Sequence, residues 1–99
     1  MTVPPDSNSQ RTARRVVAHG LVQGVFFRDT CRREARRAGV TGWVRNDVDG
    51  SVEAHFEGPA GGVQHMVDWA HEGPPHASVS RVEVTETEPT GATTFEVVG

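Results

Sequence analysis

Hydrophobic residues follow two different periods along this chain, and the changes of period divide it into elements. Arg14 to His19 (RRVVAH) is a short β-branched run that stops at Gly20, which predicts a first strand. Gly20 to Gly24 (GLVQG) is then a loop with a glycine at each end. From Phe27 the spacing becomes helical. Phe27, Cys31 and Ala35 recur at i, i+4 and i+8, Arg32, Arg33, Arg36 and Arg37 take the other face, and Gly39 stands where a C-terminal cap glycine belongs. Thr41 to Asn46 (TGWVRN) predicts a second strand, and Asp47-Val48-Asp49-Gly50 a turn. Ser51 to Phe56 alternates, with Val52, Ala54 and Phe56 inward and Ser51, Glu53 and His55 outward, as a half-buried third strand should. Gly58-Pro59 ends it. Val63, Met66, Val67 and Ala70 mark a second helix that stops before Gly73-Pro74-Pro75. Val79 to Val84 alternates as a fourth strand, and Phe95 and Val97, after a turn at Gly91, form a short fifth.

The resulting order, β-α-β-β-α-β with a terminal strand, has a geometric consequence. A strand–helix–strand crossover makes its two strands parallel, whereas the tight 47–50 hairpin makes the third strand antiparallel to the second. The compact solution slots strand three between strands one and two. This predicts an α+β, ferredoxin-like βαββαβ sandwich: a mixed, mostly antiparallel sheet with two helices on one face. The C-terminal ends of strands one and two then share an edge, separated by two strand spacings of ~10 Å in all. The Gly20 to Arg28 loop and Asn46 therefore belong to one rim.

Composition narrows the picture. Ninety-nine residues suit one domain. Residues 1–13, opening MTVPPDSNSQ, are expected to be a disordered lead-in, and 14–99 a single domain. No apolar run approaches the ~20 residues of a membrane span, and the first residues lack the charged and apolar segments of a secretory signal. One cysteine, Cys31, leaves no internal disulfide and no CxxC zinc site, which fits a cytoplasmic setting. On the apolar face of its helix, Cys31 reads as core, and Trp43 and Trp69 read as core or core-edge residues. The net charge of −3 gives no nucleic-acid prior. Every basic side chain is arginine, and Arg32 to Arg37 read as a solvated helix face. His19, His55, His65, His71 and His76 make no H-x-x-x-H pair, so no metal site is expected.

The chemistry gathers in the first loop. Gly20 to Arg28 joins a strand to a helix N-terminus, where successive backbone N–H groups and the helix dipole suit an anion. Gly24 can take the conformation that turns those donors inward. Arg28, in the first turn, offers a fork of donors matching two phosphate oxygens. The loop lacks the Gly-Lys-Ser/Thr ending of a Walker loop and the G-x-G-x-x-G of a dinucleotide fold.

The stretch Gly20-x-Val22-Gln23-Gly24-Val25-x-Phe27-Arg28, followed by Gly42-Trp43-Val44-Arg45-Asn46-x-x-x-Gly50-x-Val52 and Gly58, resembles the acylphosphatases over about residues 14 to 99. The resemblance implies the ferredoxin-like fold, hydrolysis of acyl phosphates to a carboxylate and inorganic phosphate, no cofactor and no metal. It implies Arg28 and Asn46 as catalytic residues, and a phosphate cradle from the main-chain N–H groups of Leu21, Val22, Gln23, Gly24 and Val25. Gln23 is expected to hold the loop's shape, Asp29 to serve the helix start, and Asp47 and Asp49 to form the turn. Ala18 and Leu21 depart from the family's usual larger aliphatic and basic residues. The family's terminal carboxylate can pair with the catalytic arginine, which here would join Gly99 to Arg28. A cytoplasmic monomer without nucleic-acid or membrane partners completes the expectation.

So sparse a site is chemically sufficient. An acyl phosphate expels a carboxylate, which needs no proton and hence no general acid. The phosphoryl group passes through a loose transition state whose charge fixed donors can stabilise. Asn46 has only to hold a water in line. Two other readings share the element order. An RNA-recognition domain stacks bases on exposed aromatics of its central strands, and the basic-aromatic pattern for that is missing here. A phosphate-binding module, or the acylphosphatase-like part of a carbamoyl-phosphate-processing enzyme, would continue into cysteine-rich zinc segments; one cysteine favours the standalone enzyme.

Overall fold

A computed structural model describes residues 11–99. Seven elements follow in order: β1 (Arg11–Leu21), α1 (Phe27–Arg37), β2 (Thr41–Asn46), β3 (Val52–Pro59), α2 (Ala60–Glu72), β4 (Ser78–Thr87) and β5 (Phe95–Val97). The sheet runs β4-β1-β3-β2-β5, with β3 between β1 and β2. All pairings are antiparallel except β2 with β5. Phe27, Cys31 and Ala35 of α1 and Val63, Met66, Val67 and Ala70 of α2 are buried in one cluster with Val16, Ala18, Val44, Ala54 and Phe56 from the strands. Both helices therefore cover the same face. Phe27 and Trp69 join them, their ring centroids 5.1 Å apart. Burial pushes the Cys31 thiol above its ordinary value, with Glu34 adding to the effect, so this cysteine is core.

Three features depart from the sequence pattern. β1 begins at Arg11, so residues 11–13 are strand rather than lead-in; residues 1–10 lie outside the described residues. β1 also runs on through Gly20 and Leu21, because a bulge between His19 and Gly20 lets it keep pairing with β4. Arg81 faces His19 and Val79 faces Gly20, so Ser80 is the extra residue. The shift lets Val79 and Val82, three apart, both pack against the core. Only glycine fits at position 20: its φ is +117°, and a Cβ would lie 2.3 Å from the Ser78 carbonyl oxygen.

The third departure is β3, whose polar face is buried rather than exposed. A central strand is flanked on both sides, and long neighbours fold over it. Arg15 and Arg45 both clasp Glu53, and Trp43 stacks on His55 with centroids 6.2 Å apart. Burial alone would raise the Glu53 carboxyl, but hydrogen bonds from Arg15 and Arg45 hold it below the usual carboxylate range. At the far end Glu57, fully buried, accepts hydrogen bonds from the amides of Thr90, Gly91 and Ala92 and from the Thr90 hydroxyl, at 2.7–3.1 Å. It thereby anchors the segment that carries the chain from β4 at one edge to β5 at the other.

Candidate active site

Sheet register sets the site. Val52 of β3 faces Ala18 of β1 on one side and Asn46 of β2 on the other. Asn46, the end of β2, is thus level with Ala18, three residues before the end of β1, so both strands finish on the same side of the sheet. Beyond β1 the chain turns through 22–26 into α1. Gly24 has φ +77° and Phe26 has φ 63°, the latter being the single non-glycine residue with positive φ among those described. The first helical bond is Thr30 N–H to the Phe26 carbonyl, at 3.1 Å. None of the amides from Val22 to Asp29 donates to a backbone carbonyl among the described residues. These donors, at a loop and a helix start, form a region of unmet positive partial charge.

A pocket of about 390 Å³ opens here, lined by Val22, Gly24, Phe26, Phe27, Arg28, Asp29, Arg32, Asn46 and Val97. It brings Arg28 and Asn46 together, as the shared rim requires. Of the cradle residues, Val22 and Gly24 line it, whereas Leu21, Gln23 and Val25 do not. Leu21 is the last paired residue of β1, opposite Ser78. Val25 packs against the core. The Gln23 side chain turns to the β2–β3 turn, where Nε2 donates to the carbonyls of Asp47 (2.8 Å) and Ser51 (2.9 Å). Gln23 therefore ties the loop to the residue following Asn46. The turn itself is closed by Asp47 and Asp49: Ser51 donates to Asp49 Oδ1 through its amide (3.0 Å) and hydroxyl (2.6 Å), which holds the Asp49 carboxyl below the ordinary range.

The charges at the rim are unequal in their freedom. Nine of the ten arginines have a carboxylate within 4 Å; among the described residues Arg28 alone has none. On α1 itself, Asp29 takes Arg32 (3.1 Å) and Arg33 (3.5 Å), Glu96 takes Arg36 and Glu34 takes Arg37. Gly99 forms no ion pair with Arg28; its backbone lies against the Arg45 side chain instead. Asn46 Oδ1 is buried without a hydrogen-bond partner, as is Arg32 Nε. A buried amide oxygen in that condition, beside an unpaired guanidinium, belongs to a surface built to receive something polar. Among the described residues no three His, Cys, Asp or Glu are grouped to hold a metal ion, and no helix is long and apolar enough to cross a membrane.

Phe26, Phe27, Asp29, Arg32 and Val97 line the pocket although the pattern of the chain gave them structural roles or none. Phe26 fell between matched positions of the first motif, and its outward ring follows from a backbone conformation that no residue type announces. Val97 reaches the rim only because β5 pairs in parallel beside β2, and a three-residue strand carries too little pattern to show that.

Fold and site together define a ferredoxin-like α+β protein in which Val22 and Gly24 of the first loop, Arg28 and Asn46 line one pocket. Residues 14–97 match the family model for acylphosphatase. The chain belongs to the acylphosphatase family. It is 58% identical over 94 residues to an acylphosphatase of Rubrobacter xylanophilus, covering 93% of this chain and 84% of that one. Its structure is similar to that of an acylphosphatase from Coxiella burnetii, with a TM-score of 0.88 and 36% identity over 93% of this chain and 97% of that one. A similar fold also occurs within the HypF of T. kodakarensis (TM-score 0.78, 28% identity), where 89% of this chain covers 12% of the larger one.

Proposed function

We propose that the chain hydrolyses the carboxyl–phosphate anhydride of acyl phosphates, releasing a carboxylate and inorganic phosphate. Arg28 and the amides of the 21–25 loop bind the phosphoryl group, and Asn46 orients the attacking water. The observation that carries this reading is the pairing in one pocket of the one arginine lacking a carboxylate partner, among the described residues, with a buried, unpartnered carboxamide oxygen. A guanidinium already matched to a carboxylate would have to break that pair to take phosphate; Arg28 does not. The leaving carboxylate departs as an anion, so the site needs no acid. Water adds to phosphorus as the P–O bond to the acyl carboxylate breaks, and the proton of the water goes to a phosphate oxygen. Gln23 acts at one remove, fixing the cradle relative to Asn46. The setting proposed is the cytoplasm, and the enzyme is a monomer taking a small substrate from solution.

The test is hydrolysis of acetyl phosphate in excess chelator by the wild type, Arg28→Ala and Asn46→Ala, with circular dichroism to confirm the fold. The wild type turns over without metal. Arg28→Ala loses roughly 10³-fold in rate, by analogy with arginine fingers. Asn46→Ala loses on the order of 10²-fold, the cost of a misplaced nucleophile. Full activity in either variant removes that residue from the mechanism. Phosphate binding without turnover in the wild type would make the chain a binding module.

A further inference from the structure

Among the described residues two buried side-chain polar atoms lack a hydrogen-bond partner, Asn46 Oδ1 and Arg32 Nε, and both residues line the same pocket. Asn46 already has its place in the proposed chemistry; Arg32 has none. Arg32 lies one helical turn after Arg28 on α1 and is half-buried. Its Nη2 donates to Asp29 Oδ1 at 3.1 Å, which holds the outer part of the guanidinium. One turn further on, Arg36 Nη2 donates to the Phe95 carbonyl at the start of β5, also at 3.1 Å. The row Arg28, Arg32, Arg36 therefore runs along α1 beside β5, and Arg32 and Val97 meet at the pocket wall. A buried N–H of a charged group left without an acceptor is costly, and its place in a substrate pocket gives it a reason to persist.

The two orphaned atoms are complementary. Arg32 Nε–H only donates and Asn46 Oδ1 only accepts, so one water can satisfy both. We infer that Arg32 is a further catalytic residue, whose Nε–H holds the attacking water together with Asn46. All four bonding directions of that water then have a use. One lone pair accepts from Arg32 Nε–H, and one hydrogen is donated to Asn46 Oδ1. The other lone pair forms the bond to phosphorus. The bond from phosphorus to the acyl oxygen breaks at the same time, and the leaving carboxylate keeps that electron pair. The second hydrogen passes as a proton to a phosphate oxygen. A water held at one point can swing about it, whereas two points fix the attacking lone pair in line. Arg28 keeps the phosphoryl group and Arg32 serves the nucleophile. This inference rests on the acyl phosphate reading of the same site.

The experiment follows acetyl phosphate hydrolysis in Arg32→Gln, Arg32→Lys and the double variants that add Asn46→Ala. Glutamine carries an N–H at the chain position of Nε, without the charge. Lysine carries the charge, but a methylene stands where Nε was. Both are good helix formers, so α1 persists. In Arg32→Lys kcat falls roughly ten- to a hundredfold, the range of a hydrogen bond from a charged group. KM and inhibition by inorganic phosphate stay as in the wild type, because Arg28 and the loop still hold the phosphoryl group. Arg32→Gln recovers most of the loss, to within about fivefold of the wild type, a neutral donor being the weaker one. In the Asn46→Ala background Arg32→Lys costs less than about twofold more, since the water has already lost its hold. An Arg32→Lys enzyme as active as Arg32→Gln, or more so, overturns the inference, because charge or helix packing would then account for any effect. So does a loss carried by KM and phosphate inhibition, which would make Arg32 a phosphate ligand, and so do losses that multiply in the double variant. A wild type without turnover removes the acyl phosphate reading itself; turnover in the wild type with any of these contrary results removes the water contact alone.

Discussion

Five arginines sit on α1, yet four are held by carboxylates and the fifth faces the pocket. By residue type they are alike. Motif spacing separated Arg28 from the rest, but its lack of a partner depends on where Asp29, Glu34 and Glu96 come to lie, and the last arrives from the far end of the chain. Gln23 is the other informative residue. Its two hydrogen bonds join the loop to the turn after Asn46, and both acceptor carbonyls also take a backbone N–H: Asp47 from Gly50, Ser51 from Asp47. Removing the side chain therefore leaves no carbonyl without a donor. Gln23→Ala should lose only about 1–2 kcal/mol in urea denaturation, while kcat/KM for acetyl phosphate drops more than tenfold because cradle and carboxamide are no longer coupled. Gln23→Glu should be worse on both counts, since a carboxylate would face two carbonyl oxygens. Equal stability of the two variants would contradict this geometry.

At the scale of elements, the period of the chain located both helices and all five strands, and β2 ended at Asn46 as read. It erred where one element's identity depends on another. Gly20 looked like a loop residue because glycine usually is; β4 recruits it into β1 through the bulge at Ser80. The alternation of β3 promised an exposed polar face, which arginines from both neighbouring strands cover. The rim shared by the loop and Asn46 was legible because it follows from topology alone, whereas the apolar half of the pocket was not, because it depends on β5. Two glycines let these levels be separated by experiment. Gly24 has φ +77° with open space around it, so Gly24→Ala meets only backbone strain of about 1–2 kcal/mol. Gly20→Ala adds a collision with the Ser78 carbonyl and should exceed that several-fold. Thermal melts should rank them in that order, with Gly24→Ala nonetheless losing most of its phosphate affinity. The reverse ranking would show that the bulge is not where the register places it.

Across the whole molecule, Glu57 holds the sheet's long connection in place. Burial alone would raise its carboxyl, but the hydrogen bonds from Thr90, His55 and Gly91 prevail and bring it to about 2, from an ordinary 4.5. A carboxylate depressed in the folded state stabilises fully above its unfolded value and loses that contribution as pH falls towards the folded one. Stability should thus decline between about pH 4.5 and pH 2. Glu57→Gln, costing on the order of 3 kcal/mol at neutral pH, should flatten that decline. A variant with the wild-type acid transition would assign the transition to other carboxylates. Glu57 lies at the end of the sheet remote from the pocket, but the segment it anchors delivers Val97 to the rim.

That Arg28 alone has no carboxylate partner among the described residues also bears on ionic strength. Surface ion pairs contribute little to stability and sulfate strengthens apolar burial, so concentrated sulfate should raise rather than lower the melting temperature. The same salt supplies a rival occupant for the Arg28 guanidinium, which no carboxylate among the described residues engages. Sulfate should therefore raise KM in proportion to its concentration, leave kcat alone, and protect the loop from proteolysis as it does so.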